Sequence, residues 1–346
     1  CPQFFASYFG AMKIGAVPVP VSTMALPQDY RYYLNDSRAK TLIVHQDLAP
    51  NIRRVRSELH YLKHFIVVSE AETGELDYDS LLSAASPDLD PALTSRDDMA
   101  FWMYSSGTTG KPKGILHLHH DMMYFMPPHC EAVSPVKKDV ALCATKLYFS
   151  YGRNNSLESP FLCGAGVVLY PGQPVPEEIL NVIEEYHPTL FYSVPSSYSA
   201  ILTYLDKTGR TCDLSSLRHC ISAGEPLPKV LFERWSEKFG LEILNCIGST
   251  DVGGIYISNT PEQIKPGSTG VLLPGFEAKL ADNEGNEVAE GETGSLWIKN
   301  DGTAAYYWNK HQKTKESFCG EWFNTGDEFY RDSDEFYWYV GRADDL

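Results

Sequence analysis

Residues 104–114 read YSSGTTGKPKG, which packs two serines, two threonines, three glycines and two lysines into eleven positions. Gly107, Gly110, Pro112 and Gly114 would interrupt a helix or a strand ladder, and the stretch has no apolar face to bury. It does offer bare backbone N–H groups, hydroxyl donors and two ammonium groups, which is what a polyphosphate requires. The Walker A pattern is the first test. Lys111 follows Gly110, but Pro112 stands where that pattern needs a hydroxyl for magnesium, so a P-loop nucleotidase is disfavoured. Residues 117–121, HLHHD, invite a metal reading, because His117 and His119 would share one face of a strand. The chain holds no C-x-x-C or H-E-x-x-H to supply further ligands, so a histidine cluster packed beneath the phosphate loop is the better expectation.

Alternation of short apolar runs with amphipathic stretches must position these residues. A helix opens the chain, with Phe4, Phe5, Tyr8, Phe9 and Met12 at three- and four-residue steps, and leads into a short strand at AVPVPVS. A polar helix at about 27–36 and strands at 40–46 and 64–70 follow. A Pro/Asp/Ser-rich linker at 84–98 precedes MAFWMYS, a strand that runs straight into the glycine-rich loop. Beyond the loop, VALCATK, AGVVLYP, TLFYSVP, RHCISAG and LEILNCIGST alternate with helices near 176–186, 196–206 and 228–239. The pattern predicts an α/β fold of layered, mostly parallel sheets flanked by helices, and places the loop at a parallel strand end, where such sheets bind ligands. From 252 onward helices vanish, and GVLLPG, FEAKLAD, GSLWIKN and FYWYVG predict a β-rich subdomain. The expected division is therefore 1–251, 252–341 and a short end piece at 342–346.

The loop also resembles a specific signature, the S-G-T-T-G-x-P-K-G segment of the acyl-adenylate-forming superfamily of acyl-CoA synthetases, luciferases and peptide-synthetase adenylation domains. Four further segments match that family in order: ISAGEPLP at 221–228, NCIGSTDVGG at 245–254, NTGD at 324–327 and GRADDL at 341–346. The resemblance implies the large AMP-binding domain of that fold, ATP and magnesium as cofactors, and coenzyme A as co-substrate. It implies that Ser106, Gly107, Thr108, Thr109, Gly110, Lys111 and Lys113 surround the β- and γ-phosphates. Thr250 would contact the α-phosphate, with Gly248 and Ser249 beside it. Asp327 would hold the two ribose hydroxyls with support from Arg342, and Gly224, Glu225 and Pro226 would flank adenine while the Asn245 amide reads its amino edge. Thr250, Asp251 and Lys111 are the residues implied to carry the chemistry, by stabilising charge as a carboxylate attacks the α-phosphate and pyrophosphate leaves. Position 251 departs from the family, which has Glu as its magnesium ligand; Asp keeps the charge on a side chain one methylene shorter.

Within the superfamily, residues 10–44 and KLYFSYGRNNSL at 146–157 resemble the benzoate-CoA ligase branch. That resemblance sets Ser150, Tyr151 and Gly152 on one wall of an aryl pocket and Ala223, Ile247 and Gly248 on the other. Tyr151 offers an aromatic surface, and Gly248 a flat slot for a planar ring. FYSVPSSYSAIL at 191–202 falls where relatives line a pantetheine tunnel. The ends imply a piece of a longer polypeptide, since residue 1 is Cys and GRADDL stops without a cap. Asp344 would be the hinge to a small C-terminal domain whose lysine completes adenylation, so poor turnover is expected of this stretch alone.

Composition narrows the partners. A net charge of −16 argues against coating nucleic acid or an anionic membrane, and no apolar run approaches the ~20 residues of a membrane span. Eight scattered cysteines without a C-x-x-C read as reduced thiols in a cytoplasmic protein. The expected function is activation of a benzoate-like acid in aromatic acid degradation. Fatty acyl-CoA ligase, carrier-protein loading and a non-catalytic adenylate-binding relic stay open, as does a homodimer.

Overall fold

The computed structural model describes residues 1–105 and 110–343. Its centre is a seven-stranded sheet in which Ile243–Gly248, His219–Ser222, Leu190–Ser193, Val140–Cys143 and Gly166–Val168 lie side by side and parallel. Helices Pro176–Tyr186, Pro195–Thr208 and Lys229–Phe239 cover one side of this sheet, and their apolar stripes, among them Ile179, Tyr198 and Trp235, are buried against it. Each of the first two opens with proline, whose fixed φ suits the first turn and whose missing N–H costs nothing there. A smaller parallel sheet of Thr41–His45, His64–Val68 and Leu76–Asp77 packs on helix Pro27–Asp36. The α/β class with parallel sheets and a C-terminal antiparallel sheet is therefore what the chain adopts.

Four expectations need correction. The strand Met99–Ser105 pairs antiparallel with Lys113–Leu118, and Tyr306–Tyr307 adds on the far edge. The glycine-rich loop is thus the link of a hairpin, not the exit of a parallel strand, because so short a connection can only join antiparallel neighbours. Residues 16–22, AVPVPVS, form no strand, since Pro18 and Pro20 remove ladder donors; Trp102 N still donates to Pro18 O at 3.1 Å. The strand at Lys113–Leu118 stops before His119, so His117 and His119 do not share a strand face. Past residue 252 a helix, His311–Ser317, does form, and Ile255–Ser258 and Val271–Leu272 extend the seven-stranded sheet by antiparallel pairing. The change to a purely antiparallel sheet falls after Leu272, where Glu277–Ala281, Gly294–Lys299, Trp322–Arg331 and Tyr337–Arg342 pair in turn.

Two helical segments escaped the sequence pattern. Met122–Val133 contains Pro127 and Pro128, yet it buries Phe125, Met126, Ala132 and Val133, and that burial outweighs the missing donors. Ser150–Arg153 continues through a π-helical turn, Asn154–Glu158, into Ser159–Cys163. The π turn is lined by fully buried polar groups, which gives no apolar period to read.

Candidate active site

The strand Ile243–Gly248 leads at its C-terminal end into a tight turn at 249–254. A Cβ on Gly248 would lie 2.4 Å from the Gly254 carbonyl oxygen, so the close approach of two backbone segments demands glycine there. The turn is closed by Gly253 N donating to Ser249 O at 3.0 Å and by Val252 N donating to Ser249 Oγ at 3.1 Å. Three outside groups fix it further. Asn154 Nδ2 donates to Gly253 O at 2.7 Å, Ala304 N donates to Asp251 O at 2.8 Å, and His117 Nε2 lies 2.8 Å from Thr250 O. With its backbone so held, Thr250 turns its hydroxyl to Ser150, the two oxygens being 3.1 Å apart.

Asp251 sits beside Thr250 and is buried. Its Oδ1 receives the Lys113 ammonium at 3.1 Å and the Tyr307 hydroxyl at 2.5 Å, and the Lys113 nitrogen also lies 3.9 Å above the Tyr307 ring. Burial, and then the Asp251 charge, push the Tyr307 hydroxyl well above its ordinary pKa, so it stays a donor. Lys113 is thus engaged with a carboxylate, whereas exposed Lys111 rests 5.2 Å from the Tyr32 ring, whose hydroxyl bonds Pro112 O at 2.6 Å. Gly110 takes a φ of 123° at the base of the loop. Ser106, Gly107, Thr108 and Thr109 lie outside the described residues, as does Asp344.

Among the described residues no group of three or more His, Cys, Asp or Glu side chains could hold a metal. Among the described residues, Lys113 and Tyr307 engage Oδ1 of Asp251, so Oδ2 is the oxygen that could take a metal. One carboxylate oxygen is a donor set that fits magnesium carried on substrate phosphates and water, not a metal held by protein alone.

Asp327 and Arg342 face each other across neighbouring antiparallel strands, with Arg342 Nη1 2.8 Å from Asp327 Oδ1 and 2.9 Å from Thr325 O. Gly326 (φ 73°) sits inside the strand Trp322–Arg331, where its register against Gly294–Lys299 shifts at a bulge; a Cβ there would stand 2.9 Å from Arg342 Nη2. Burial raises the Asp327 pKa above the ordinary carboxylate range, Arg342 pulls it back, and the Asp251 charge adds to the rise.

The remaining expected residues divide by burial. Gly224, Glu225 and Pro226 are exposed on the loop after His219–Ser222, and the Glu225 carboxylate accepts from Ser196 N and Oγ at 3.0 and 2.9 Å. Asn245 is buried; its Nδ2 donates to Ser268 O at 2.8 Å, which leaves its carbonyl end for an amino group. Ala223 belongs to the core, and Ile247 and Tyr151 pack against it, the Tyr151 hydroxyl donating to Ile221 O at 3.2 Å. A Cβ on Gly152 would meet the Lys146 carbonyl at 2.1 Å, so packing accounts for this glycine. Of the segment at 191–202, Phe191, Tyr198, Ile201 and Leu202 face the core. Sequence reasoning missed Tyr307, Asn154 and the link from His117 to Thr250, for which no local spacing gives a signal.

A parallel α/β sheet ending in this turn, beside an antiparallel sheet carrying Asp327 and Arg342, is the N-terminal architecture of adenylate-forming enzymes. The profile of the AMP-binding enzyme family matches residues 1–308, and the chain belongs to that family. It is similar to a 4-hydroxybenzoate–CoA/benzoate–CoA ligase of Rhodopseudomonas palustris, 37% identical over 340 residues that cover 98% of this chain and 63% of that protein. A benzoate–CoA ligase of Thauera aromatica is 36% identical over 348 residues, covering 99% and 65%. Among solved structures, the anthranilate CoA ligase AuaEII in complex with anthranoyl-AMP superposes with a TM-score of 0.95 at 38% identity, over 100% of this chain and 67% of that one. The chain thus spans a little under two thirds of the length of those two curated relatives. No helix among the described residues is long and apolar enough to cross a membrane.

Proposed function

We propose that this chain forms the ATP- and acid-binding part of an aryl-CoA ligase. An aromatic carboxylate attacks the α-phosphate of ATP and expels pyrophosphate; the coenzyme A sulfur then attacks the acyl carbonyl and AMP leaves. The observation that carries the reading is the Ser150–Thr250 pair. It joins the segment expected beside the acid to the residue expected at the α-phosphate, at 3.1 Å between oxygens, and adenylation needs those two groups adjacent. Further support comes from the aryl-acid ligases to which the chain is similar. Asp327 and Arg342 would hold the ribose, Asn245 and the loop at 224–226 adenine, and Lys111 with the glycine-rich loop the outer phosphates. Magnesium, when bound, would neutralise phosphate charge, with Asp251 Oδ2 as its protein ligand. Tyr151 would supply the aromatic wall for the ring, with Asp344 as the hinge to the rest of the ligase.

The test is calorimetric titration of the chain with a non-hydrolysable benzoyl-adenylate mimic against acetyl and long-chain acyl mimics. Selective tight binding of the benzoyl form is expected. Equal binding of all three would keep the adenylate site and remove the aryl assignment, and no binding would overturn the reading.

A further inference from the structure

His117 and Asp121 are both 1% exposed, and neither is among the residues expected to touch substrate or nucleotide. His117 Nδ1 is 2.8 Å from Asp121 Oδ2, and its Nε2 is 2.8 Å from the carbonyl oxygen of Thr250, 133 residues away in the chain. A carbonyl cannot donate, so Nε2 must carry a proton. If the ring held only that proton, a bare Nδ1 would confront a carboxylate. A second proton therefore lies on the Nδ1–Oδ2 line, and with Nε2–H aimed at Thr250 no lone pair is left for a metal. Asp121 is itself fixed: Leu118 N donates to the same Oδ2 at 3.0 Å, and His120 Nε2 is 3.3 Å from Oδ1. The ring stacks on Phe101 (centroids 4.9 Å, planes 20° apart) and meets Phe125 edge-on at 5.8 Å, so it has no freedom to turn. The nearby charges are the buried carboxylate of Glu158, which interacts with His117, and the Arg153 guanidinium 4.1 Å from the Phe101 ring.

We propose that His117, buttressed by Asp121, is a positioning residue that holds the Thr250 peptide by its carbonyl and thereby sets the Thr250 hydroxyl against Ser150. The proposal rests on the adenylation reading for its consequence, but not for its geometry. A buried, charge-assisted donor on the outer side of a turn is a rigid support, and the atom it grips is three bonds from the hydroxyl's carbon. Loss of that support leaves a part-buried carbonyl without its His117 partner and frees the peptide to rotate.

Two measurements test it. The first needs no variant or ligand: nitrogen-15 NMR of the imidazole in the intact chain at neutral pH. Nε2 is expected to be protonated, with a one-bond N–H coupling; an unprotonated Nε2 would overturn the proposal. The second compares the benzoyl-adenylate mimic on wild type, His117→Phe and His117→Gln, each with a thermal melt. Phe keeps the stacked ring without a donor, and binding should weaken about 10-fold; Gln restores an N–H and should bind within about 3-fold of wild type. Equal binding by His117→Phe, or equal loss in both variants, would overturn it. Should wild type itself bind no adenylate mimic, the functional reading fails, while the NMR result still decides where the proton lies.

Discussion

The Tyr307 hydroxyl donates to Asp251 Oδ1 at 2.5 Å across 56 residues, and Lys113 completes the set from a third segment at 3.1 Å. Two donors on one oxygen fix the carboxylate's rotation, so Oδ2 is presented in one direction. A hydrogen bond to a charged group contributes about 1.5–3 kcal/mol, so its loss is measurable. Tyr307→Phe should lower magnesium–ATP affinity on the order of 10-fold, and Asp251→Ala should abolish the dependence of nucleotide binding on magnesium. Calorimetry with and without magnesium reads both. If Tyr307→Phe lost stability but bound magnesium–ATP like wild type, the hydroxyl would be a packing feature only.

Ser150 and Thr250 present a second coupled pair. Their 3.1 Å contact joins the start of helix Ser150–Arg153 to the turn after the parallel strand. Neutral hydroxyl pairs contribute about 1 kcal/mol, and contacting residues depart from additivity by 0.5 kcal/mol or more. Ser150→Ala and Thr250→Val should each weaken binding of a benzoyl-adenylate mimic about 5-fold or more, and the double variant should fall short of the product. Strictly additive losses would show that the two hydroxyls contact the ligand independently.

The sequence made the parallel half of the fold legible because its signals are local. A short, mostly apolar run such as Leu190–Ser193, then proline and an amphipathic helix, announces a strand–helix unit without reference to anything distant. Strand partners are a different matter. Nothing in MAFWMYS says that it pairs with Lys113–Leu118, and the parallel expectation came from the surrounding rhythm. Thr250, Asp327 and Arg342 were legible as motif strings, yet the Arg342–Asp327 bond depends on two strands being brought into register. The polar supports were invisible. His117, Asn154 and Tyr307 reach the 249–254 turn over 133, 99 and 56 residues, and long-range hydrogen bonds leave no periodic mark. The π-helical turn was equally hidden, since four of its five buried residues are Asn, Ser or Glu and only Leu157 is apolar.

Arg153 and Glu158 sit at that turn as an ion pair, Nε to Oε1 3.0 Å, each 1% exposed, with the guanidinium 4.1 Å from the Phe101 ring. Two desolvated charges are costly, and their attraction does little more than offset that cost. Removing one leaves the other uncompensated. Arg153→Met should therefore destabilise by about 3–5 kcal/mol in denaturant unfolding, whereas Arg153→Met with Glu158→Leu should recover most of the loss. A double variant as unstable as the single one would mean that the packing of these two side chains, not the lone charge, maintains the turn behind Tyr151.

Asp139 provides a test by acid. Arg218 grips both its oxygens, Nε to Oδ1 at 2.8 Å and Nη2 to Oδ2 at 2.6 Å, while Val136 N and Thr189 Oγ1 donate at 2.7 Å each. Burial alone would push the carboxyl up, but these donors, Arg218 foremost, hold it at about 2. An unfolded Asp titrates near 3.9, so the folded value is the lower one. The stabilisation is then fully present above about pH 4 and is lost as pH falls through about 2. Asp139→Asn should be roughly 2 kcal/mol less stable than wild type at pH 6, a gap that shrinks steadily below pH 4. Denaturant titrations from pH 6 to pH 2.5 measure the gap directly. A gap that stayed constant through that window would mean that Asp139 keeps an ordinary carboxylate pKa and that the Arg218 grip adds nothing to folding.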